Sequence, residues 1–142
     1  MKHKVTTHWK GGGLFDSNID GHTIRIDASD DKKEGPSPKR LLLSGLAGCS
    51  GIDIVSMLEK MRVPIDGLEI DIEAGLSDDY PKVYNHIVMH FRFFGEHIVP
   101  KKVIKAIELS LEQYCGVAGM LRKSGPIEYT YEILESKTSE SK

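Results

Sequence analysis

The sequence lacks the features that mark several large classes of protein. Its 19 Lys and Arg residues are balanced by 21 Asp and Glu, which leaves a net charge of −2. A chain without a basic excess has no electrostatic footprint for nucleic acid or for an anionic membrane. The N-terminus, Met1 to Val5, has no apolar run of the signal-peptide kind, so we expect a cytoplasmic protein.

Cysteine is scarce, which limits the chemistry that the chain can support. Only Cys49 and Cys115 are present, and in the cytosol such a pair is more often two thiols or a redox couple than a structural disulfide. His86 and His90 have the spacing to share one strand face, but no third ligand stands near them. We expect these histidines to make solvated cross-strand contacts rather than to hold a metal.

One long stretch of low charge organises the chain. Ser37 is a good N-cap and Pro38 fits the first helical position, while from Leu41 to Leu58 the only charged residue is Asp53. Apolar and small residues occupy every face, which is typical of a helix buried on all sides. The run is about the minimum length for a membrane span, but its glycines, its serines and the lack of a second hydrophobic segment favour a core helix.

Three glycines, Gly45, Gly48 and Gly51, recur within this helix. Each costs about 0.8–1 kcal/mol relative to alanine, so close approach of another helix is the expected reason for them. One face of a small sheet cannot cover a helix that is apolar all round. We therefore predict an obligate homodimer in which the central helices pack together and sheet wraps them.

Alternation of apolar and polar residues predicts strands before and after the helix. The predicted strands are residues 4–9, 14–19, 22–27, 68–74, 86–93 and 127–133. The first three form a meander with a tight turn at Asp20-Gly21, and the next two form a hairpin whose acidic outer face meets a basic one. Val63-Pro64 ends the long helix.

A second helix begins at Pro100 and is interrupted at Cys115-Gly116. Its predicted apolar stripe comprises Val103, Ile104, Ile107, Leu111 and Tyr114. One or two further turns precede the last strand, which gives the order βββ-α-ββ-α(α)-β. Strands grouped apart from helices predict an α+β fold with antiparallel sheet. We expect one domain over residues 1–135 and a disordered polar tail, 136–142.

On the residues alone, the two cysteines could be ordinary buried core residues. Cys49 lies too far into its helix for the dipole to favour a thiolate, and Asp53, one turn later, opposes one. Lys39 and Arg40 are unusual because cations in a first helical turn oppose the dipole. They either point into solvent or attract an anion, such as a substrate carboxylate.

Two motifs make the chain recognisable: S-P-K-R-L-L-L-S-G-L-A-G-C-S-G-I-D-I-V and, later, L-E-Q-Y-C-G-V-A-G-M-L. They resemble the OsmC/Ohr family, the osmotically inducible and organic hydroperoxide resistance proteins, and are closest to its YhfA-like branch. The resemblance implies an OsmC-like fold, with antiparallel sheets wrapped around long buried central helices in an intertwined homodimer, and active sites at the dimer interface.

The resemblance also implies a thiol peroxidase that reduces organic hydroperoxides and, less well, hydrogen peroxide. Cys49 matches the peroxidatic cysteine, which becomes a sulfenic acid, and Cys115 matches the resolving cysteine, which closes a disulfide with it. An external dithiol, a lipoyl group in characterised members, then reduces that disulfide. The resemblance implies no metal, flavin or haem cofactor.

The chain departs from the family pattern around the cysteines. Family peroxidases hold the thiolate with an N-terminal arginine, which in the Ohr branch a glutamate after the helix-opening proline orients. Here Lys39 takes the glutamate's place, Lys10 is the only basic residue at the glycine turn, and Arg25 and Arg40 are the best substitutes for the arginine. Two alternatives therefore stay open: a non-catalytic dimer that binds an anionic or apolar ligand, and a thiol-based redox sensor.

Overall fold

The computed structural model describes residues 1–136 and divides the chain into two compact units, Met1–Ser44 and a second that begins at Gly45. The elements are β1 (Thr6–Gly11), β2 (Leu14–Ile19), β3 (His22–Asp27), α1 (Arg40–Lys60), β4 (Gly67–Leu76), β5 (Tyr84–Phe94), α2 (Pro100–Leu109), a π-helical turn (Ser110–Tyr114), α3 (Gly116–Leu121) and β6 (Ile127–Leu134). The α+β class is confirmed. The single domain over 1–135 stays a prediction, and the predicted tail lies outside the described residues except for Ser136.

The first unit contains an antiparallel meander, β1-β2-β3, as predicted. Ile19 pairs with His22 across a two-residue turn. Asp20 and Gly21 have φ values of 48° and 81° in that turn. Two positive φ angles in succession suit the right-handed twist of a hairpin, and Asp-Gly adopts them readily.

Helix α1 buries one stripe rather than its whole circumference. Its fully or almost fully buried residues are Leu46, Ser50, Ile54 and Leu58. Ile52, on another face, is 73% exposed, so one chain does not cover α1 on all sides, and burial of the remaining faces by a second chain stays a prediction. Among residues 1–136, α1 is the one helix long and apolar enough to cross a membrane, a property that core helices of soluble proteins share.

The sheet of the second unit has the order β4-β5-β6. β4 and β5 form the predicted antiparallel hairpin, but β6 pairs with β5 in parallel, so the expectation of purely antiparallel sheet is wrong here. The reason is the connection: the chain leaves β5, passes through α2 and α3, and returns in the same direction. One face of β5 is fully buried, through Ile87, Met89, Phe91 and Phe93.

The outer face of this sheet carries the predicted charge pairing only in part. Arg92 bonds to Glu69 at 3.0 Å and to Asp71 at 2.7 Å, across the β4–β5 hairpin. The two histidines instead face β6: His86 pairs with Glu128, and Nε2 of His90 lies 2.7 Å from Glu132. No group of three His, Cys, Asp or Glu side chains within residues 1–136 could hold a metal ion.

The apolar stripe of α2 continues into the π-helical turn and then changes direction. Val103 and Ile107 are fully buried and Leu111 is nearly so, whereas Tyr114 is 63% exposed. The prediction that Tyr114 belongs to the stripe is wrong because a π-helical turn, with its i→i+5 hydrogen bond, holds an extra residue. Cys115 takes the buried position instead.

Candidate active site

Cys49 lies near the middle of α1, between the exposed Gly48 and the buried Ser50, and is half-buried itself. Leu46 and Ser50 are fully buried on one face of α1, and Cys49 lies at the margin of that face. Burial of this face therefore determines the orientation of the Cys49 side chain. Gly51, two residues on, is close to the β4 side chain Ile70: a Cβ there would lie 3.3 Å from Ile70 Cδ1. Cys49 is therefore held on a helix that packs over the sheet.

Cys115 occupies the junction between the π-helical turn and α3. Its backbone is extended, with φ −77° and ψ 104°, and its N–H donates to Ser110 O at 2.7 Å. The sulfur caps α3 by accepting from Ala118 N–H at 3.4 Å. Only 4% of the residue is exposed, so its position is determined by backbone geometry and packing together.

Both cysteines are free thiols, and Cys49 lies close enough to Cys115 to influence its pKa. Burial raises the pKa of Cys115 to about 11, and the neighbouring Cys49 raises this pKa as well, while the Ala118 N–H acts to lower it. Burial outweighs the helix cap because a thiolate away from water loses its solvation. Cys115 is therefore a neutral thiol at physiological pH.

Two fully buried serines, Ser50 and Ser110, lie on the segments that carry the cysteines, and the sequence analysis assigned no role to either. Ser50 Oγ donates within α1, to Leu46 O at 2.9 Å. Ser110 Oγ donates to Asp53 Oδ2 at 3.0 Å. A serine between Ile107 and Leu111, on an otherwise apolar stripe, was the signal that could have identified Ser110.

Arg25 belongs to the first unit, where two carboxylates engage it. Its Nε and Nη2 reach the two oxygens of Asp16 at 2.9 and 3.2 Å, and Nη1 reaches Glu34 at 3.0 Å. The hydrogen bond with Asp16 raises the pKa of Arg25 and lowers that of Asp16. Arg40 also lies in the first unit and donates from Nη1 to Ser37 Oγ. The catalytic roles of both arginines stay predictions.

A groove of about 620 Å³ opens beside Asp53 within the second unit. Most of its lining side chains are apolar or thioether groups, namely Ile52, Met57, Met61, Leu109 and Tyr114. Lys60 and Lys105 add positive charge. Such a lining suits a largely apolar molecule with an anionic or polar end.

Comparison with known proteins identifies the family. A family model described as OsmC-like protein matches residues 29–130. The protein YhfA of Escherichia coli is 35% identical over 127 residues, which are 89% of this chain and 94% of YhfA. The resemblance inferred from the two cysteine motifs is confirmed.

Two solved structures show the same fold. An OsmC-like protein from Mycoplasma pneumoniae matches with a TM-score of 0.83 and 18% identity, over 94% of this chain and 98% of that one. The organic hydroperoxide resistance protein OhrB of Bacillus subtilis matches with a TM-score of 0.69 and 17% identity, over 93% and 98%. The chain belongs to the OsmC/Ohr family, which includes organic hydroperoxide resistance proteins.

Proposed function

We propose that the protein is a thiol-dependent peroxidase that reduces organic hydroperoxides and, less well, hydrogen peroxide. The observation that carries the proposal is a pair of free thiols, Cys49 and Cys115, that lie close enough for Cys49 to influence the pKa of Cys115. The family supports the substrate class, since it includes organic hydroperoxide resistance proteins.

The proposed reaction has three steps. The Cys49 thiolate attacks the terminal oxygen of the hydroperoxide, the O–O bond breaks, and the alcohol leaves after taking a proton, so that Cys49 becomes a sulfenic acid. The Cys115 thiolate then attacks the Cys49 sulfur, and the hydroxyl group leaves as water with one proton. An external dithiol reduces the disulfide by exchange and is itself oxidised to a disulfide.

Exposure supports this division of roles. Cys49 is half-buried and therefore within reach of a small peroxide, whereas Cys115 is 4% exposed. A resolving cysteine that water and peroxide do not reach is protected from oxidation until Cys49 has reacted.

The cation that would hold Cys49 as a thiolate belongs to the proposal as well. We assign Arg25 or Arg40 to this role, as the family pattern suggests. If Arg25 holds the thiolate, Arg25→Lys slows the oxidation of Cys49 and leaves disulfide closure unchanged. Lysine keeps the positive charge but cannot make the bidentate hydrogen bond to Asp16. Arg40→Lys is the matched comparison.

We also propose that the protein is a cytoplasmic homodimer with its active sites at the interface. Ile52 and Val55 on α1 are 73% and 44% exposed. Within residues 1–136, nothing outside the local helix backbone comes within 4 Å of the Cβ position at Gly45 or Gly48. A second α1 approaching these glycines would cover that face, and sedimentation equilibrium tests whether the molecule has twice the chain mass.

The decisive experiment mixes reduced protein with one equivalent of cumene hydroperoxide, and separately with hydrogen peroxide, and follows intact mass and free thiols. Loss of two hydrogens within seconds supports the proposal, and Cys49→Ser abolishes it. In Cys115→Ser the mass instead rises by one oxygen. Persistence of both thiols for many minutes overturns the peroxidase and favours the ligand-binding dimer.

A redox sensor is the second candidate, favoured by the raised pKa of Cys115, about 11. A neutral resolving thiol closes the disulfide slowly, which suits a switch better than a rapid cycle. Steady-state peroxide consumption with dihydrolipoate as the reductant separates the two functions. Many turnovers per minute indicate an enzyme, and a single stoichiometric oxidation indicates a sensor.

A further inference from the structure

The π-helical turn before Cys115 is held to its surroundings at two successive residues. Ser110, which is fully buried, donates from Oγ to Asp53 Oδ2 at 3.0 Å, and its Oγ also lies 3.4 Å from Ser50 O. Leu111 O accepts from the Arg122 guanidinium. π-helical turns are rare and are frequent at functional sites. These external bonds hold this one in place.

Ser110 links the segments of the two cysteines through different atoms. Its carbonyl accepts from the Cys115 N–H at 2.7 Å, and its hydroxyl bonds to Asp53, one helical turn after Cys49. A displacement of Ser110 therefore moves the Cys115 backbone relative to α1. The hydrogen bond between Ser110 and Asp53 can therefore control the position of the Cys115 thiol relative to Cys49.

We propose that Asp53 and Ser110 are positioning residues whose hydrogen bond sets the rate at which Cys49 and Cys115 close to a disulfide. This inference rests on the proposed function, because it assumes that the two cysteines form a redox pair. Neither residue touches the peroxide in this scheme. Their role is to hold the Cys115 sulfur on the line of approach to the Cys49 sulfenic acid.

Ser110→Ala removes the hydroxyl and leaves the carbonyl that Cys115 uses. A misplaced attacking group loses much of the advantage of pre-arranged geometry, and we expect closure to slow by about tenfold or more. The first oxidation of Cys49 is expected to change by less than about twofold, since Ser110 bonds neither to Cys49 nor to the attacked oxygen. The sulfenic acid then accumulates, and dimedone captures more of it.

The experiment compares four variants in single-turnover oxidation with cumene hydroperoxide. Ser110→Ala and Asp53→Ala each break the bond, whereas Asp53→Asn keeps a carbonyl oxygen as acceptor and restores most of the closure rate. Ser50→Ala is the matched control, because it removes a buried hydroxyl that bonds within α1. Acid quench followed by intact-mass measurement gives the rates of Cys49 oxidation and of disulfide closure. The unfolding midpoint establishes that each variant is folded.

The double variant Asp53→Ala/Ser110→Ala tests whether the two single substitutions slow closure through the loss of the same hydrogen bond or through two independent effects. If the two residues act through their mutual bond, the double variant closes about as slowly as either single variant. Multiplication of the two effects, or wild-type closure in Ser110→Ala, overturns the inference while the redox pair stands. If Ser110→Ala does not fold, Asp53→Ala and Asp53→Asn supply the comparison. A wild-type chain that never loses two hydrogens overturns the proposed function and this inference together.

Discussion

Alkaline pH is expected to accelerate closure of the Cys49–Cys115 disulfide over an unusually wide range. The attacking thiol must first ionise, and burial raises the pKa of Cys115 to about 11. About one Cys115 thiol in 10⁴ is then a thiolate at pH 7, against about one in 30 for a cysteine of ordinary pKa. Closure is therefore expected to accelerate about tenfold per unit between pH 7 and pH 10.

Sequential mixing isolates this step from the first oxidation. Reduced protein reacts with hydroperoxide at pH 6, where closure is slow, and is then mixed into buffers from pH 7 to pH 10 before acid quench and intact mass. Cys115→Ser retains the added oxygen throughout and supplies the baseline. The oxidation of Cys49 removes the influence of its thiol on Cys115, but burial, which is the larger cause of the raised pKa, remains.

A closure rate that levels off near pH 8.5 would refute this reasoning. Such a plateau is the signature of a solvated thiol. It would mean that Cys115 leaves its buried position once Cys49 is oxidised, so that the burial seen in the thiol form no longer governs the attacking group.

Three further predictions concern assembly and stability. Ile52→Lys is expected to convert the dimer to monomer in sedimentation equilibrium, because it places a charge on an exposed apolar face of α1; an unchanged dimer would place the interface elsewhere. Gly125→Ala is expected to lower the free energy of unfolding in urea by about 1–3 kcal/mol, since its Cβ would lie 2.0 Å from a β5 carbonyl oxygen. Gly119→Ala is the control: a Cβ at Gly119 meets open space, so this variant is not expected to lower the free energy of unfolding. Tyr129→Phe is expected to cost about 1 kcal/mol through loss of the 3.0 Å bond to Glu108, and absorbance titration of the wild type checks that the pKa of Tyr129 is about 12.

Local sequence patterns were sufficient for the elements that depend on near neighbours. The Asp20-Gly21 turn and the β4–β5 hairpin follow from residues adjacent along the chain, and both are present. The pairing of β6 depends on a partner far away in sequence. Its alternating pattern is the same in a parallel or an antiparallel sheet, so the direction could not be predicted from it.

Helix α1 and the two cysteines also show that local sequence patterns do not predict contacts between distant segments. Composition established that α1 is apolar around its circumference but not which faces its own chain covers, and Ile52 remains exposed. The family motif pointed to both cysteines, whereas the buried position of Cys115 depends on a π-helical turn that no propensity predicts. Ser110 was missed because its role arises from a bond to α1, far away in sequence.

The parallel pairing of β5 with β6 also has a consequence for how the chain folds. The β4–β5 hairpin can form early from local contacts, but one edge of β5 has no partner until α2 and α3 have crossed over and β6 has docked. During that interval a strand rich in phenylalanine presents an open edge to other molecules. Misfolding by edge-to-edge association is therefore expected to begin at β5, and folding yield is expected to fall as protein concentration rises.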